Sequence, residues 1–306
     1  MNIAQSSFHV PATPWQGAVV DASLPAAGPE LLVALDIDGT ILHHNTSLSP
    51  RVKKAILTHL EVGTHVVIAT GRGISGAQIA MQQLDYDHGY AVCSNGAIML
   101  SVGDITPPVP VTPVADAVCE PFPQVSLIGS NTFDPSHEID VIAKALPEAI
   151  MAVETLDQVR KITDEFPPGE LTGDSRIVPV SELSDHAATR LTVRAPHLTA
   201  TELLEAVNNL GLHGVEYAVG WSAWMDVAPE GISKAVGLEQ VRKLLGVSST
   251  ATVAVGDSGN DCEMLAWAHL GIAMGNSPDY VASYAKAKTE DVAMDGCALI
   301  LEALLD

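Results

Sequence analysis

The sequence predicts an α/β fold in which a Rossmann-like parallel sheet is interrupted by an inserted α+β domain. Short continuous apolar runs alternate with stretches of helical period over residues 30–100 and again over 226–306, which is the pattern of right-handed βαβ units. Residues 101–225 lack that alternation and open on a proline-rich stretch, so they are predicted to form the insertion. With 306 residues, the chain has room for about two domains.

The composition excludes several classes of function. Lys and Arg number 15 against 37 Asp and Glu, a net charge of −22. We therefore expect no nucleic acid and no membrane as partner, because both need a positive surface. No apolar run approaches the ~18–20 residues of a membrane span, and the N-terminus does not resemble a signal peptide, so a cytoplasmic protein is predicted. The cysteines form no paired motif and are predicted to be free thiols: Cys93, Cys119, Cys262 and Cys297.

The first elements can be assigned in order along the chain. Residues 1–29 carry four prolines and no sustained period, so an irregular extension is predicted there. Leu31–Leu35 is a continuous apolar run, as expected of a strand buried on both faces. Ser49 and Pro50 are typical of an N-cap and the first position of a helix, and Gly63 is expected to end that helix.

The following elements continue the alternation. His65–Ala69 is predicted to be a second buried strand, Ile74–Leu84 a helix, and Tyr90–Cys93 a third short strand. Because helices connect these strands, we expect the strands to be parallel.

The inserted region has a different pattern. Leu191 and Val193 alternate with Thr192 and Arg194, which suits a sheet with one face in solvent. A largely antiparallel sheet is therefore predicted. Its strands are expected at 125–128, 176–180, 189–194, 215–219 and 223–227, and its helices near 137–146 and 200–210.

The α/β pattern returns after Gly231. The elements predicted there are a helix near 234–245, a strand at 251–255, a helix beginning near Asp261, a strand at 269–273 and a closing helix near 295–304.

Polar residues and glycines follow these strands, at the edge where open α/β sheets bind ligands. Several carboxylates that face one crevice repel each other unless a proton or a cation enters. Carboxylate oxygens and a substrate phosphate are the ligands that Mg²⁺ prefers. The segments are Asp36-Ile37-Asp38-Gly39-Thr40, Thr70-Gly71-Arg72-Gly73, Ser94-Asn95-Gly96 and Gly256-Asp257-Ser258-Gly259-Asn260-Asp261.

The same residues suit a phosphoryl group. Lys234 lies at the start of a predicted helix, where its ammonium and the helix N-terminus both favour an anion. Thr70 and Gly71 offer a hydroxyl and backbone N–H groups. Asp36 can act as a nucleophile through an aspartyl-phosphate. Asp38 lies two residues on in the strand and therefore points the same way as Asp36, so Asp38 can serve as general acid and then as general base.

Each residue taken alone also has an ordinary structural interpretation. Thr70 could simply cap a helix, and Arg72 could pair with one of the many carboxylates. Lys234 by itself is typical of a solvated helix lysine. The adjacent His43 and His44 are more typical of a solvated loop than of a metal site. Only the combination of motifs favours a catalytic site.

In this order the motifs resemble the haloacid dehalogenase superfamily of phosphatases. The residues that carry the resemblance are Asp36-Ile-Asp-Gly-Thr40, Thr70, Lys234 and Gly256-Asp-Ser-Gly-Asn-Asp261. Its Cof-type branch (subfamily IIB) is resembled by Ala69-Thr-Gly-Arg72, Ser94-Asn-Gly-Ala97 and Met274-Gly-Asn276. The insertion resembles the C2-type α+β cap of that branch by its placement. The resemblance spans about residues 31–100 and 226–306, and the implied cap is 101–225.

The resemblance implies a role for each matching residue. Asp36 is the nucleophile and Asp38 the general acid and base. Thr70 and Lys234 hold the phosphoryl group. The implied cofactor is Mg²⁺, with the Asp36 carboxylate, the Asp38 backbone carbonyl and Asp257 as its ligands.

Further residues are placed near these by the same resemblance. Asn260 and Asp261 would lie behind the metal or reach it through water, and would help to orient Lys234. Arg72 and Asn95 would lie near the substrate entrance. The full set expected to bind substrate or phosphate is Thr70, Gly71, Arg72, Asn95, Lys234 and Asn260.

The implied function is Mg²⁺-dependent hydrolysis of phosphomonoesters. Its substrates would be small phosphorylated metabolites, sugar phosphates first, and the cap would exclude bulk water and shape the pocket. Two alternatives stay open at this point. The same site could pass the phosphoryl group to a second hydroxyl, as in a phosphomutase or phosphotransferase, or the chain could be a non-catalytic regulatory binding protein.

Overall fold

A computed structural model describes most of the chain. The described residues are 15–105, 107, 109–114, 124–156, 160–168, 170–171, 173–210, 212, 215–219 and 223–305.

The elements run in chain order as follows. The helices are α1 (Trp15–Asp21), α2 (Pro50–Glu61), α3 (Ile74–Leu84), α4 (Ser136–Ala145), α5 (Ala200–Asn208), α6 (Lys234–Leu245), α7 (Cys262–Trp267), α8 (Asp279–Ala282) and α9 (Gly296–Leu305). The strands are β1 (Leu32–Leu35), β2 (His65–Ala69), β3 (Gly89–Cys93), β4 (Ile98–Val102), β5 (Thr112–Pro113), β6 (Val125–Ser130), β7 (Ile150–Glu154), β8 (Arg160–Ile162), β9 (Ser175–Ile177), β10 (Arg190–Arg194), β11 (Val215–Val219), β12 (Trp224–Pro229), β13 (Thr252–Gly256), β14 (Leu270–Ala273) and β15 (Ala287–Lys288). Short 3₁₀ turns lie at Ser94–Gly96, Val180–Glu182, Gly259–Asp261 and Val292–Met294.

Contacts divide the described chain into two units. The first unit comprises the residues up to Ala69, Gln83–Tyr90 and the residues from Leu238 onward; the second comprises Thr70–Gln82 and Ala91–Gly237. The domain boundaries expected from the sequence, at 29, 100 and 225, stay a prediction.

The first unit is built on a parallel sheet with the order β15-β14-β13-β1-β2. Strand β1 is buried along its whole length, which is why that segment is a continuous apolar run. Helix α2 begins at Pro50, as expected, and Ser49 is its N-cap. The Ser49 hydroxyl oxygen accepts a hydrogen bond from the Arg51 N–H at 3.3 Å. Gly63, with φ +86°, follows the end of α2. The α/β fold class is confirmed.

The extension before β1 differs from the prediction of an irregular segment. Trp15–Asp21 forms helix α1, which contacts α9, β14 and β15 in the same unit. His269 Nε2 lies 3.0 Å from the carbonyl oxygen of Ala22, just past the helix. No proline lies between Pro14 and Pro25, so this segment can form a helix. Residues 1–14 lie outside the described residues.

The second unit contains a six-stranded sheet with the order β11-β12-β10-β7-β8-β9. Neighbouring strands are antiparallel except for β8 and β9, so the prediction of a largely antiparallel sheet is confirmed. One face packs on helices α4 and α5. Its apolar core includes Ile139, Ile142, Met151, Val153, Leu191, Val193, Leu203, Val207, Met225 and Val227.

The opposite face of this sheet is not the solvent-exposed face that the alternation in β10 suggested. Arg190 and Thr192 are only 5% and 1% exposed. They lie among other buried polar groups. The alternation in β10 therefore correctly identifies one apolar and one polar face, but it does not show that the polar face is buried.

Several elements were not predicted. Strand β4 pairs with β6 in the second unit, inside a stretch taken partly as a linker. Strands β7 and β8 were also missed, and the strand expected at 176–180 is Ser175–Ile177 followed by a 3₁₀ turn.

The cysteine prediction is confirmed where it can be examined. Cys93, Cys262 and Cys297 are free thiols. Burial raises the pKa of the Cys93 and Cys297 thiols to about 12, so both are inert at neutral pH. Cys119 lies outside the described residues. Across the described part of the chain, no helix combines the length and apolar character needed to cross a membrane.

Candidate active site

Two neighbouring parallel strands of the first unit are each followed directly by an aspartate. The register pairs Leu35 of β1 with Val255 of β13, and the Asp36 N–H donates to the Val255 carbonyl at 3.1 Å. Asp36 and Asp257 therefore lie side by side at the carboxyl edge of the sheet. Carboxylate oxygens of Asp36, Asp257 and Asp261 all lie within 4.8 Å of one another, and all three residues are buried.

Asp261 organises the turn that follows β13. Its Oδ2 accepts from the N–H groups of Asp257 and Ser258, both at 2.9 Å. A Cβ on Gly256 would lie 2.6 Å from the Asp261 Cγ, so the side chain can fold back only over a glycine. The Asn260 Oδ1 accepts from the Ser258 hydroxyl at 2.7 Å. Asp261 thus orients the backbone that carries Asp257.

The turn after β1 departs from one sequence expectation. Strand β1 ends at Leu35, so the premise that Asp36 and Asp38 share a strand was wrong, and a common direction of their side chains does not follow from strand geometry. The Ile37 carbonyl instead accepts from the N–H groups of Ile41 and Leu42 at 3.0 and 2.8 Å, which closes a tight turn. Asp38 is exposed in this turn.

Gly39 allows that turn to approach the second aspartate. Its φ is +86°, and a Cβ there would lie 2.3 Å from the Asp257 Oδ2. Both the backbone conformation and the close contact therefore require glycine.

Sequence reasoning did not assign a role to Asn276, although its motif was noted. The Asn276 side-chain amide donates to the Gly39 carbonyl and to the Asp257 Oδ2, both at 3.0 Å. Its Oδ1 accepts from the Val292 N–H at 3.0 Å. Asn276 therefore ties the turn after β1 to Asp257. The sequence does offer one indication of this role: Asn276 follows a predicted strand, β14, as the other site residues follow theirs.

In the second unit, the loop after β2 is folded around Thr70. The Thr70 N–H donates to the Val92 carbonyl at 2.8 Å, and its carbonyl accepts from the Asn95 N–H at 3.1 Å. The Thr70 hydroxyl oxygen accepts from the Arg72 N–H at 3.0 Å. The expectation that the Thr70 N–H cradles a phosphoryl group is therefore wrong, because β3 takes that donor; its hydroxyl hydrogen is the group left to donate.

The turn at Asn95 meets the start of helix α6. Asn95 has φ +53° and Gly96 has φ +103°. A Cβ on Gly96 would lie 2.0 Å from the Ser233 carbonyl oxygen, so only glycine lets this turn approach so closely. The next residue, Lys234, opens α6 as predicted and is fully buried. A buried ammonium is costly unless a negative group accompanies it.

The predicted site residues thus fall into two groups. Asp36, Asp257 and Asp261 are brought together in the first unit, which also holds Asp38 and Asn260. The second unit holds Thr70, Gly71, Arg72, Asn95 and Lys234. In it, the backbone of Thr70 bonds to that of Asn95, and Gly96 packs on the residue before Lys234.

The acidic group fits a hard divalent cation. Three buried carboxylates so close together repel each other, and a cation among them removes that repulsion. The donors are all oxygens, the ligand type that Mg²⁺ takes. Because Asp261 Oδ2 already accepts two N–H groups, Asp36 and Asp257 are the better direct ligands.

Comparison with known proteins gives one family. A model of haloacid dehalogenase-like hydrolases matches residues 33–106 and 171–301. The chain is 26% identical over 281 residues to a 5-amino-6-(5-phospho-D-ribitylamino)uracil phosphatase of Bacillus subtilis (strain 168), which covers 89% of this chain and 96% of that one.

Two further similarities cover the chain at comparable length. A pyridoxal phosphate phosphatase of Escherichia coli (strain K12) is 26% identical over 274 residues, 87% of this chain and 96% of that one. The solved structure of the haloacid dehalogenase subclass IIB sugar phosphatase BT4131 superposes with a TM-score of 0.69 at 19% identity, covering 89% of this chain and 98% of that one. At that identity the likeness concerns the fold.

Proposed function

Because the chain belongs to the haloacid dehalogenase-like hydrolase family, we propose that it is a phosphatase that hydrolyses phosphomonoesters of small metabolites through an aspartyl-phosphate at Asp36. The observation that carries the proposal is the buried cluster of Asp36, Asp257 and Asp261 at the carboxyl edge of the parallel sheet. Its place agrees with the ligand edge of open α/β sheets.

The reaction has two steps. An Asp36 oxygen attacks phosphorus while the bond from phosphorus to the leaving oxygen breaks, and Asp38 gives that oxygen a proton. Asp38, now ionised, takes a proton from a water that attacks phosphorus, the bond to Asp36 breaks, and phosphate leaves. The positions of these residues support the roles: Asp36 is buried, and Asp38 is exposed in the following turn, where it can exchange protons with water.

We propose Mg²⁺ as the cofactor, held by the carboxylates of Asp36 and Asp257 and by the backbone carbonyl of Asp38. Bound there, the ion supplies positive charge to the phosphoryl oxygens and to the attacking carboxylate. Asp261 and Asn276 orient Asp257 through the hydrogen bonds described above.

The phosphoryl group needs donors besides the metal. We assign this role to the Thr70 hydroxyl and the Lys234 ammonium, with Gly71, Arg72, Asn95 and Asn260 as further members of the binding set. Support comes from the burial of Thr70 and Lys234, at 1% and 0% exposure. A buried ammonium strongly favours an anionic ligand because water does not screen its charge.

The substrate class follows from the relatives. Their substrates, as their names give them, are a phosphorylated ribitylamino-uracil, pyridoxal phosphate and sugar phosphates. We propose a small phosphorylated metabolite, with sugar phosphates first.

The experiment that tests the function is phosphate release from a panel of substrates, measured with Mg²⁺ and after chelation. The panel contains sugar phosphates, nucleotides, phosphorylated vitamins and a small aryl phosphate. Release that needs Mg²⁺ supports the proposal. An isomeric sugar phosphate in place of free phosphate would indicate a phosphomutase. Binding of a substrate without turnover, with the aryl phosphate also inert, would indicate a regulatory protein.

Asn276→Ala is expected to weaken the metal site. Loss of the two donated hydrogen bonds frees Asp257 and the Gly39 turn, and such outer partners of metal ligands typically contribute about 10- to 100-fold in metal affinity. The Mg²⁺ concentration for half-maximal turnover should rise by that factor. Asn209→Ala is the control, since Asn209 directly follows helix α5 and its amide donates to the carbonyl of Glu205 within that helix. An unchanged Mg²⁺ requirement in Asn276→Ala would contradict this role.

A further inference from the structure

A network of buried charges lies on the polar face of the six-stranded sheet. Glu154 at the end of β7 accepts from Arg160 at 3.0 Å and from Arg190 at 2.9 Å. Arg190 also lies 3.5 Å from an Asp226 oxygen. Glu154, Arg160 and Arg190 are 9%, 6% and 5% exposed. None of them belongs to the motifs singled out in the sequence.

The network reaches the loop after β2 within the same unit. Arg190 Nη1 donates to the Gly71 carbonyl at 2.5 Å. A Cβ on Gly73 would lie 2.1 Å from a Glu154 carboxylate oxygen, so a glycine at this position lets the loop lie directly against the carboxylate. The network therefore forms a hydrogen bond with Gly71 and lies close against Gly73.

Stability alone does not account for such a network. Removing several charges from water is expensive, and well-packed apolar residues of the same volume stabilise a fold at least as well. What a bidentate guanidinium adds is geometry, because its planar fork fixes the directions of several hydrogen bonds at once. In this network, the backbone group whose position the Arg190 guanidinium fixes is the Gly71 carbonyl.

The Gly71 carbonyl and the Arg72 N–H belong to one planar peptide group. One end of this group accepts from Arg190, and the other end donates to the Thr70 hydroxyl oxygen at 3.0 Å. Once the hydroxyl oxygen accepts that N–H, its own hydrogen must point elsewhere, so the hydroxyl is oriented as a donor. Serial hydrogen bonds of this kind also polarise one another.

We propose that Arg190, aligned by Glu154 and Asp226, is a positioning residue that fixes the Gly71–Arg72 peptide and thereby orients the Thr70 hydroxyl toward the phosphoryl group. The proposal rests on the phosphatase function proposed above. It makes the strand β10 of the inserted region part of the phosphate-binding machinery, with Arg190 acting through Thr70 and without contact to the substrate.

The test is a double-mutant cycle between Arg190→Lys and Thr70→Ala, with the aryl phosphate as substrate. Lysine keeps a positive charge beside Glu154 but lacks the fork that reaches Glu154 and Gly71 together. We expect Arg190→Lys to lower kcat/KM about 10- to 100-fold, the cost of slight misplacement of a binding group, through both a lower kcat and a higher KM. In the Thr70→Ala background the same substitution should have almost no further effect.

A second readout does not depend on turnover. Calorimetric titration with inorganic phosphate should give a higher Kd for Arg190→Lys than for the wild type, and an equal Kd for Thr70→Ala with and without Arg190→Lys. Arg194→Lys is the matched control, because Arg194 lies on the same strand and pairs with Glu170 at 2.7 Å. It should change neither kcat nor Kd, and the melting temperature verifies that each variant is folded.

The outcomes separate the two proposals. A wild type that neither releases nor binds phosphate would overturn the proposed function and this inference with it. An active wild type with unchanged kcat/KM in Arg190→Lys would overturn the inference alone. The inference would also be overturned if the fold-losses in kcat/KM of Arg190→Lys and Thr70→Ala multiplied in the double variant. Independent effects of this kind would mean that Arg190 acts without Thr70.

Discussion

Asp36→Asn is expected to lower turnover of the best substrate by at least about 10⁴-fold, as removal of a nucleophile does in covalent catalysis. The amide has the same size as the carboxylate, but it cannot form the acyl phosphate. The fold should be unaffected, because the backbone N–H of Asp36 holds it to β13. Removing one charge from the crowded cluster should leave the melting temperature equal or higher.

Three measurements make this prediction specific. Acid-quenched wild-type enzyme should carry phosphate on the peptide that contains Asp36, and the variant should carry none. Asp279→Asn changes an exposed aspartate of the first unit and should leave turnover within about twofold, as ordinary surface changes do. Turnover of Asp36→Asn within tenfold of the wild type would rule out Asp36 as the nucleophile and with it the proposed covalent route.

The strands of the parallel sheet were predictable because burial on both faces imposes continuous apolar runs. His65–Ala69 and the helix Ile74–Leu84 were predicted with the observed bounds. Strand β4 was missed for a physical reason: it follows directly on the Ser94–Gly96 turn, with no helix between. Strand β8 has the sequence Arg-Lys-Ile, whose charges are buried by tertiary pairing. No local pattern indicates that.

The candidate site was predictable to the extent that it follows strand ends. The alternation of elements predicts that the aspartates after β1 and β13 lie at one edge of one sheet, and the structure adds that those two strands are neighbours. Arg190 could not be found in this way, since its contact with Gly71 joins residues 119 positions apart. In the sequence, Arg190 appears only as one polar residue of a strand in which polar and apolar residues alternate, and that pattern does not indicate a functional role. The geometry of Asp38 also depends on tertiary structure, because β1 ends one residue before Asp36.

Glu154→Gln is expected to destabilise the second unit by about 3–5 kcal/mol, the usual cost of removing one partner from a buried ion pair. The substitution leaves the guanidiniums of Arg160 and Arg190 buried without the carboxylate that both contact. Urea denaturation of the full chain at pH 7 should give a lower midpoint. Hydrogen exchange should show faster opening of β7 and β10 than of β1 and β13, because the lost contacts lie in the six-stranded sheet.

Glu302→Gln serves as the matched control for burial. Glu302 accepts from the Arg51 fork at 2.8 and 2.6 Å, but both side chains are almost half exposed. Its loss should therefore cost no more than about 1 kcal/mol. Equal losses in the two variants would mean that burial does not set the strength of the Glu154 network.

The Glu154 prediction also has a defined pH dependence. Burial by itself would raise the pKa of the Glu154 carboxyl, but the Arg190 and Arg160 guanidiniums outweigh burial and hold the pKa below its ordinary value of 4.5. The folded state therefore favours the charged form, and the stabilisation is fully present above about pH 4.5. The difference in stability between wild type and Glu154→Gln should shrink as the pH falls from there through the lowered pKa. A difference that stayed constant down to pH values at which the wild type unfolds would show that the charge of Glu154 does not stabilise the sheet.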